Sequence, residues 1–453
     1  MNDQNDVIVS DKKLVLLDHT RTGPAAEDFY DFAKTRFVGE PRMAKWLAQT
    51  TEIISEGFYP EKGPIASVLF VGPSGVGKTF TAPILSEFLF GNPKGFTTIR
   101  GEEMRLEHNI ACLTGAPPGY VGHGEPLRIT QEKLDRPAFL SMVRHALREA
   151  SEGVREEYYA IQEERSAIVE HIAGLGVSKA DDKERETARQ ELTAIIVRIN
   201  KLGIPTYNRK KYVYPSVLLL DEIEKGHPTA YPNSLFQVLD DGTLSLTSNK
   251  QNGGSDILDF RKTIIIATSN LGEEELKKLF RSASGRSTGY RFTKETYTPE
   301  ELDRAVYRVC RDAVDNFFST PFLNRFGDII VARPHTRENQ LEILDIELNK
   351  LRSRLFDPAG FNFPIMLQVD EAVRQYLVDE IADKPEKGIR FLQQKLKKSF
   401  SEAIVNLKAT EQVNQGDILH VSLDPTSQSE QKKKLLFQKE DAAGRMKRLI
   451  VVE

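Results

Sequence analysis

The sequence has few cysteines and no long apolar run. Its 453 residues include only two cysteines, Cys112 and Cys310, which excludes a disulfide-stabilised scaffold and favours a reducing compartment. No apolar stretch approaches the roughly 18 residues that a membrane-spanning helix needs. The first residues, MNDQNDVIVSDKK, lack the basic start and apolar segment of a signal peptide. We therefore expect a cytoplasmic protein without a membrane partner.

The sequence also lacks an excess of basic residues. The 62 Lys and Arg against 66 Asp and Glu give a formal net charge of −4, without the basic signature of nucleic-acid-binding proteins. The 40% hydrophobic and 28% charged residues are typical of a soluble globular protein. These values disfavour a nucleic-acid motor, and no nucleic-acid partner is expected.

Apolar runs separated by helical patterns are present instead. The segments IASVLFVG, SVLLLDE (216–222) and KTIIIATSN (262–270) read as buried strands, and helical patterns lie between them. This alternation predicts an α/β fold with a largely parallel sheet flanked by helices. From about His335 a long helical pattern, a strand-like FPIMLQV and a hairpin of DILHVSL and KLLFQKE predict a smaller, α-rich domain.

A segment of different character interrupts this pattern. Residues 154–175 and 185–202 carry apolar residues at spacings of three and four, with glycines and an Asp pair between them. We interpret 150–203 as an antiparallel helical hairpin within an insertion at about 130–212. Two ordinary helices packed on the body of the domain remain the alternative.

One loop carries a complete phosphate-binding pattern. The octapeptide is Gly72, Pro73, Ser74, Gly75, Val76, Gly77, Lys78 and Thr79. It follows a predicted strand and precedes a helix, the context that makes G-x-x-x-x-G-K-[ST] credible. Backbone N–H groups would surround the phosphates of ATP, Lys78 would reach the β- and γ-phosphates, and the Thr79 hydroxyl would ligate Mg²⁺.

Polar residues follow the other two buried strands. Asp221 at the end of one strand could hold Mg²⁺, and Glu222 could act as the general base for the attacking water. Asn270, at the end of the next strand, could orient the same water. Taken alone, each of these residues also fits a plain strand end, and Arg325 and Arg390 fit ordinary surface ion pairs.

The order of the motifs resembles that of the Clp-type AAA+ unfoldases and disaggregases. The segments GPSGVGKT, GAPPGYVG, LLLDEIEKGHP, LFQVLDDGTL, DFRKTIIIATSNLG, FLNRF and GIR occur in the family's order. The resemblance covers about 37–425, interrupted by 130–212, and is greatest to the second ATPase module of the Clp disaggregases. We expect one such module in this chain, without a substrate-receiving N-domain of recognisable size.

The resemblance implies a role for each motif. Lys78 and Thr79 are the Walker A residues, Asp221 and Glu222 the Walker B residues, and Asn270 is the first sensor. Arg325 corresponds to an arginine finger that serves the neighbouring subunit, and Arg390 to the second sensor. Val38 and Gly39 resemble the adenine-pocket segment. A finger acting in trans implies a homo-oligomeric ring, usually a hexamer.

The resemblance also implies a substrate and raises the question of a protease. Gly119, Tyr120, Val121 and Gly122 resemble the aromatic pore loop that grips an extended polypeptide, and 242–260 lies where a second pore-facing loop would be. STGYRF (287–292) lies where protease-docking unfoldases carry a hydrophobic-Gly-Phe loop. Because Thr288 and Tyr290 depart from that pattern, an ordinary surface loop is favoured over protease docking.

We therefore predict an ATP-dependent unfoldase or remodelling chaperone that threads protein through a ring. The alternative is a dedicated remodeller or switch for one partner complex, as in secretion or defence systems. The predicted domains are an extension at 1–36 that packs late or not at all, a large ATPase domain at 37–334, a small domain at 335–425 and a tail at 426–453.

Overall fold

The computed structural model describes most of the chain. The described residues are 18, 20–115, 127–175, 179–246, 257–283, 298–357, 363–382, 388–425, 434–440 and 446–452. The predicted pore loop around Tyr120 and the segment 287–292 lie outside them.

Helices make up most of the described structure. They are α1 (Pro24–Ala33), α2 (Pro41–Glu56), α3 (Thr81–Phe90), α4 (Glu107–Thr114), α5 (Gln131–Glu149), α6 (Glu152–Gly174), α7 (Lys179–Lys201), α8 (Ala230–Asp240), α9 (Glu273–Ala283), α10 (Pro299–Phe317), α11 (Thr320–Leu323), α12 (Arg337–Leu355), α13 (Glu371–Ala382), α14 (Gly388–Leu396) and α15 (Glu402–Ala409). None of the described helices is long and apolar enough to cross a membrane.

The strands form two larger sheets and one short hairpin. They are β1 (Ala66–Val71), β2 (Thr97–Arg100), β3 (Ser216–Asp221), β4 (Thr243–Ser245), β5 (Ile257–Asp259), β6 (Thr263–Ser269), β7 (Asp328–Val331), β8 (Met366–Val369), β9 (Ile418–Leu423), β10 (Leu435–Glu440) and β11 (Met446–Val452). β4 and β5 pair with each other as an antiparallel hairpin.

A five-stranded parallel sheet forms the centre of the ATPase part. Its order is β2-β3-β6-β1-β7, and every pairing is parallel. Successive side chains of a strand point to opposite faces. Leu69 and Val71 accordingly belong to one buried cluster, and Val68 and Phe70 to the other. Burial on both faces explains the continuous apolar runs of the sequence, and the predicted α/β fold with helices around a parallel sheet is confirmed.

The register of this sheet brings the polar residues to one edge. Val71 pairs with Ser269 and Leu220 with Ala267, so β1, β3 and β6 end side by side. The residues that follow these strands therefore meet at the carboxyl edge, where ligands bind in open α/β sheets.

The C-terminal part has its own sheet and its own core. Its four strands have the order β11-β10-β9-β8, and a separate buried cluster includes Leu344, Phe400 and Phe437. β9 and β10 form the antiparallel pair expected from the sequence, and β11 pairs with β10. The predicted division at 425 cuts through this sheet and is therefore wrong at that end, because β10 and β11 complete a sheet that begins before it.

The N-terminal extension contains a packed helix. In α1, Ala26, Phe29 and Ala33 are buried, and the Phe29 ring packs edge-on against Phe88 of α3 at 5.3 Å. The Glu52 carboxylate accepts a hydrogen bond of 2.9 Å from the Ala26 N–H. The expectation that 1–36 packs late or not at all is wrong for this helix, because its apolar residues recur on one face.

The long helices α6 and α7 lie against each other within the predicted insertion. Ile161 of α6 and Ile195 and Ile199 of α7 are buried in a small cluster with Val143 of α5. Arg198 and Glu164 form an exposed ion pair of 2.7 Å between the two helices. This small cluster is where the described residues of the pair pack against α5.

A buried carboxylate lies where the base of the insertion meets the β4–β5 hairpin. The Asp135 side chain of α5 is 2% exposed and pairs with Arg209 Nε at 2.9 Å. It also accepts hydrogen bonds from the Tyr207 hydroxyl at 2.6 Å and from Gln131 Nε2 at 3.0 Å. Arg209 in turn contacts Asp259 of β5 at 3.3 Å. Burial raises the pKa of Asp135 against the opposing effect of these hydrogen bonds.

We expect Asp135→Ala to lower the free energy of unfolding by about 3 kcal/mol, because removing one member of a buried pair leaves the other without compensation. The estimate is at the lower end of the range for such pairs, since Arg209 is partly exposed and keeps Asp259. The measurement is urea unfolding, compared with Glu163→Ala, which removes an exposed carboxylate of α6. An equal midpoint for the two variants would contradict a structural role for Asp135.

Candidate functional site

The phosphate-binding loop joins β1 to α3 at the carboxyl edge of the sheet. Gly72, Gly75 and Gly77 have φ of 145°, 79° and 98°. Only glycine adopts such angles without strain. A Cβ at Gly72 would lie 2.8 Å from the Ala332 carbonyl oxygen beside β7. The glycines therefore fix the path of the loop next to the sheet.

Lys78 lies beneath this loop and is 6% exposed. Its Nζ donates hydrogen bonds to the carbonyl oxygens of Gly72 and Pro73 at 2.8 and 2.6 Å, and to Asn270 Oδ1 at 2.8 Å. Burial lowers the pKa of Lys78 to about 8, against the opposing effect of nearby carboxylates such as Glu224. The amine is thus held by neutral oxygens at the place where a phosphate would supply negative charge.

A hydroxyl and a carboxylate meet at the start of α3. Thr79 Oγ1 donates a hydrogen bond of 2.8 Å to Asp221 Oδ1, and Thr268 Oγ1 donates one of 2.7 Å to the same atom. Asp221 ends β3 and Thr268 lies on β6, so two neighbouring strands fix this carboxylate. Hydroxyl and carboxylate oxygens are the ligands that Mg²⁺ prefers.

Glu222 has a conformation that its neighbours must stabilise. Its φ of 53° and ψ of 57° are left-handed, which costs a residue with a side chain about 1–3 kcal/mol. Its N–H donates to Thr268 Oγ1 at 2.9 Å. Its two carboxylate oxygens contact Asn270 Nδ2 at 2.7 Å and Lys225 Nζ at 2.7 Å. Asn270 therefore links Lys78 to Glu222, as a residue that orients water between phosphate and base would.

Two further carboxylates join this site that the sequence did not single out. The Glu273 carboxylate, at the start of α9, accepts hydrogen bonds of 3.1 Å from both the N–H and the hydroxyl of Ser74. Glu224 accepts one of 3.0 Å from the Asn270 N–H, and burial raises its pKa. The only sequence signal is position, since both follow a strand-end motif within three residues.

A single cavity brings these groups together. It is bounded by the phosphate-binding loop on one side and by α12 and α14 of the C-terminal part on the other. Its lining residues are Arg36, Phe37, Val38, Ser74, Gly75, Val76, Gly77, Lys78, Thr79, Phe80, Glu222, Thr268, Asn270, His335, Ile343, Ile346, Glu347, Lys350, Ile389, Arg390 and Gln393. Arg390 reaches this cavity from α14. Gly39 adjoins it beside His335, and Asp221 lies behind Thr79.

Arg325 lies outside this cavity. Its Nε contacts Asp240 Oδ2 at 2.6 Å, and its guanidinium lies 4.3 Å from the centroid of the Phe236 ring. Both partners belong to α8, and 26% of the Arg325 side chain is exposed. The structure therefore separates Arg325 from the other predicted site residues of the same chain, whereas Gly119, Tyr120, Val121 and Gly122 lie outside the described residues.

Comparison with known proteins finds a matching family and similar sequences. The family model for the AAA domain (Cdc48 subfamily) matches residues 63–140 and 185–329. The ATP-dependent Clp protease ATP-binding subunit ClpC of Staphylococcus saprophyticus is 27% identical over 380 residues, and ClpC of Staphylococcus aureus strain USA300 is 28% identical over 383 residues. Each match covers 83% of this chain and 34% of the relative, so the chain spans about a third of the length of these relatives.

A solved structure shares the fold. The cryo-EM reconstruction of Hsp104 in a closed state with ATPγS and FITC casein has a TM-score of 0.55 and 20% sequence identity, and the match covers 87% of this chain and 49% of that chain. The matched family model, the ATP-binding Clp relatives and the geometry of the cavity show that the chain is an ATPase of the AAA+ family, and over 83% of its length it is similar in sequence to Clp proteins.

Proposed function

We propose that this ATPase is a protein unfoldase or remodelling chaperone that works as a homo-oligomeric ring. One observation carries the proposal: the phosphate-binding loop, Glu222 and Asn270 line one cavity, while Arg325 lies on a separate surface of the same chain. An arginine so located could reach a neighbour's site but not its own. A closed ring, of six subunits by family expectation, supplies each site with such a neighbour.

The chain's own residues would bind the nucleotide at three points. The loop from Gly72 to Thr79 surrounds the phosphates with backbone N–H groups, and Lys78 exchanges carbonyl partners for phosphate oxygens. Val38 and Gly39 form part of the base pocket. Arg390 brings positive charge from α14, so that binding draws the C-terminal part onto the phosphates.

Magnesium fits the oxygen pair at the start of α3. Thr79 Oγ1 and Asp221 Oδ1 are 2.8 Å apart and would hold the ion, directly and through water respectively. When bound, Mg²⁺ neutralises charge on the β- and γ-phosphates. Thr268 keeps the Asp221 carboxylate in place for this role.

Hydrolysis would proceed by in-line attack of water on the γ-phosphorus. Glu222 accepts the proton of the water as the new P–O bond forms, and the bond to the ADP oxygen breaks. Asn270 contacts both Glu222 and Lys78, which suits it to orient the water. The guanidinium of the neighbour's Arg325 stabilises the charge on the transferred group.

The substrate is proposed to be an extended polypeptide held by Tyr120. A Tyr side chain packs on any backbone or side chain without reading sequence. The Hsp104 structure contains FITC casein, which is consistent with a protein substrate for this fold.

Tyr120→Ala should keep ATPase activity within about twofold and abolish substrate unfolding, because the proposed role of the tyrosine is to hold polypeptide and not nucleotide. The test follows the loss of fluorescence of a tagged, stably folded protein together with phosphate release. Tyr159→Ala, at an exposed tyrosine of α6, is the matched control. If Tyr120→Ala unfolds the substrate at the wild-type rate, Tyr120 does not hold the polypeptide.

The pair α6 and α7 favours a second candidate, a dedicated remodeller of one partner complex. These helices project from a small cluster at their base and offer long exposed faces for a partner. Stimulation of ATPase activity by unfolded casein distinguishes the two: general unfolding requires it, whereas a dedicated remodeller responds to its own partner alone. Purifying the Glu222→Gln variant and identifying the proteins that remain bound to it would identify that partner.

A further inference from the structure

His335 is a polar side chain at the end of the cavity that we propose binds the nucleotide base. His335 lies between β7 and α12 and lines the cavity with Val38, Val76, Ile343 and Ile389. These neighbours come from separate elements, and all are apolar. Burying an imidazole among apolar side chains costs free energy unless its nitrogens are hydrogen-bonded.

Both ring nitrogens of His335 are buried and lack a hydrogen bond of normal geometry among the described residues, and the Val76 backbone is close enough to act only as a weak partner. Burial lowers the pKa of His335 to about 4, against the opposing effect of the adjacent Val76 backbone. The ring is therefore neutral at pH 7 and presents one donor and one acceptor. Buried polar groups are almost always paired in native proteins, so a missing pair calls for a ligand.

Gly39 makes room for this ring. Its φ is +88°, and a Cβ there would lie 2.6 Å from His335 Nδ1 and 3.0 Å from Asn339 Cγ. Because Gly39 has no side chain, the imidazole can lie against the 38–39 segment.

We propose that His335 is a specificity residue that hydrogen-bonds the edge of the adenine base of ATP. Adenine offers an amino donor next to ring-nitrogen acceptors, so a neutral imidazole finds a partner in either tautomer. The apolar side chains around His335 would pack against the faces of the purine. A pyrimidine, being smaller, would leave the ring nitrogens unpaired. This inference rests on the assignment of the cavity to ATP.

The test compares KM and kcat for ATP and CTP in the wild type, His335→Phe and His335→Gln. We expect His335→Phe to raise KM for ATP about tenfold or more with kcat within about twofold, which corresponds to one lost hydrogen bond that a buried group required. KM for CTP should change little, so the preference for ATP over CTP falls. His335→Gln, which keeps a donor and an acceptor, should recover most of the affinity.

A double-mutant cycle checks that Gly39 acts through the imidazole. Gly39→Ala should raise KM for ATP by a larger factor in the wild type than in a His335→Ala background, where the closer of its two contacts is gone and only the contact with Asn339 remains. The cycle cancels the backbone strain that any side chain suffers at this φ. Additive effects would show that Gly39 does not act through His335.

Two outcomes would overturn the proposal: an unchanged KM for ATP in His335→Phe, or equal losses for ATP and CTP, which indicate a packing role alone. A separate variant tests whether the cavity binds ATP at all. If Lys78→Ala keeps wild-type ATPase activity, the cavity is not the ATP site, whatever His335 does.

Discussion

Glu222→Gln should bind ATP and fail to hydrolyse it. We expect kcat to fall by about 10²–10⁴-fold, the usual contribution of a positioned general base, with nucleotide affinity unchanged. Glutamine has nearly the same shape and can keep the contact with Asn270, but it cannot accept the proton of the attacking water. Phosphate release and binding of a fluorescent ATP analogue measure the two properties separately.

The environment of Glu222 explains why the substitution should preserve the site. The residue is held in a left-handed conformation by the Thr268 hydroxyl, and its side chain lies between Asn270 and Lys225. The change to glutamine keeps the backbone bond and the side-chain volume. A truncation such as Glu222→Ala would remove the side-chain contacts as well and could not be assigned to proton transfer alone.

Glu224→Gln is the matched control for this experiment. Its carboxylate also lies near Asn270, but it accepts a backbone N–H, which an amide oxygen accepts equally well. Burial already raises the pKa of Glu224, so the neutral amide resembles the form that burial favours. We expect less than about a tenfold loss of kcat. If Glu222→Gln hydrolyses ATP as fast as this control, Glu222 is not the base.

The central sheet could be predicted because its signals are local. The three buried strands are continuous apolar runs, and each ends at a motif of fixed composition, such as GPSGVGKT. Parallel strands buried on both faces leave little choice of architecture. The prediction of an α/β ATPase therefore depended on short segments that the structure reproduces as β1, β3 and β6.

The contacts that organise the cavity could not be predicted, because they join residues far apart in sequence. Ser74 and Glu273 are separated by 199 positions, and no pattern near either residue marks the pair. His335 is one of eight histidines, and only burial and the lack of a partner distinguish it. The buried network of Asp135 was missed for the same reason.

Domain ends were predicted least well. The apolar face of α1 repeats only three times in a short helix, and the polar residues around it concealed the pattern. β11 pairs with β10 in an antiparallel register, so its place in the sheet depends on this pairing rather than on its own composition. Local composition describes such segments as tails even when they complete a sheet.

Because Arg325 lies apart from the cavity of its own chain, we expect its removal to impair hydrolysis at a neighbouring subunit. Arg325→Ala should reduce kcat by about 10³–10⁵-fold, the usual contribution of an arginine finger, while ATP still binds. Arg311→Ala is the control, since Arg311 pairs with Asp315 within α10 and touches no part of the cavity. ATPase activity and analogue binding are measured in both variants under conditions that favour oligomers.

Mixing two inactive variants distinguishes action on a neighbour from action within one chain. Lys78→Ala lacks phosphate binding but keeps Arg325, whereas Arg325→Ala keeps its own cavity. In a freely mixed equimolar ring, half the subunits retain Lys78 and half of these receive Arg325 from the neighbour. About a quarter of wild-type activity should therefore return, provided that the subunits assemble through one repeated interface. Mixing Arg325→Ala with the double variant Lys78→Ala/Arg325→Ala should restore nothing. Because an arginine acting within its own chain would leave both mixtures inactive, recovery in the first mixture alone would establish that each ATP site is completed by the next subunit.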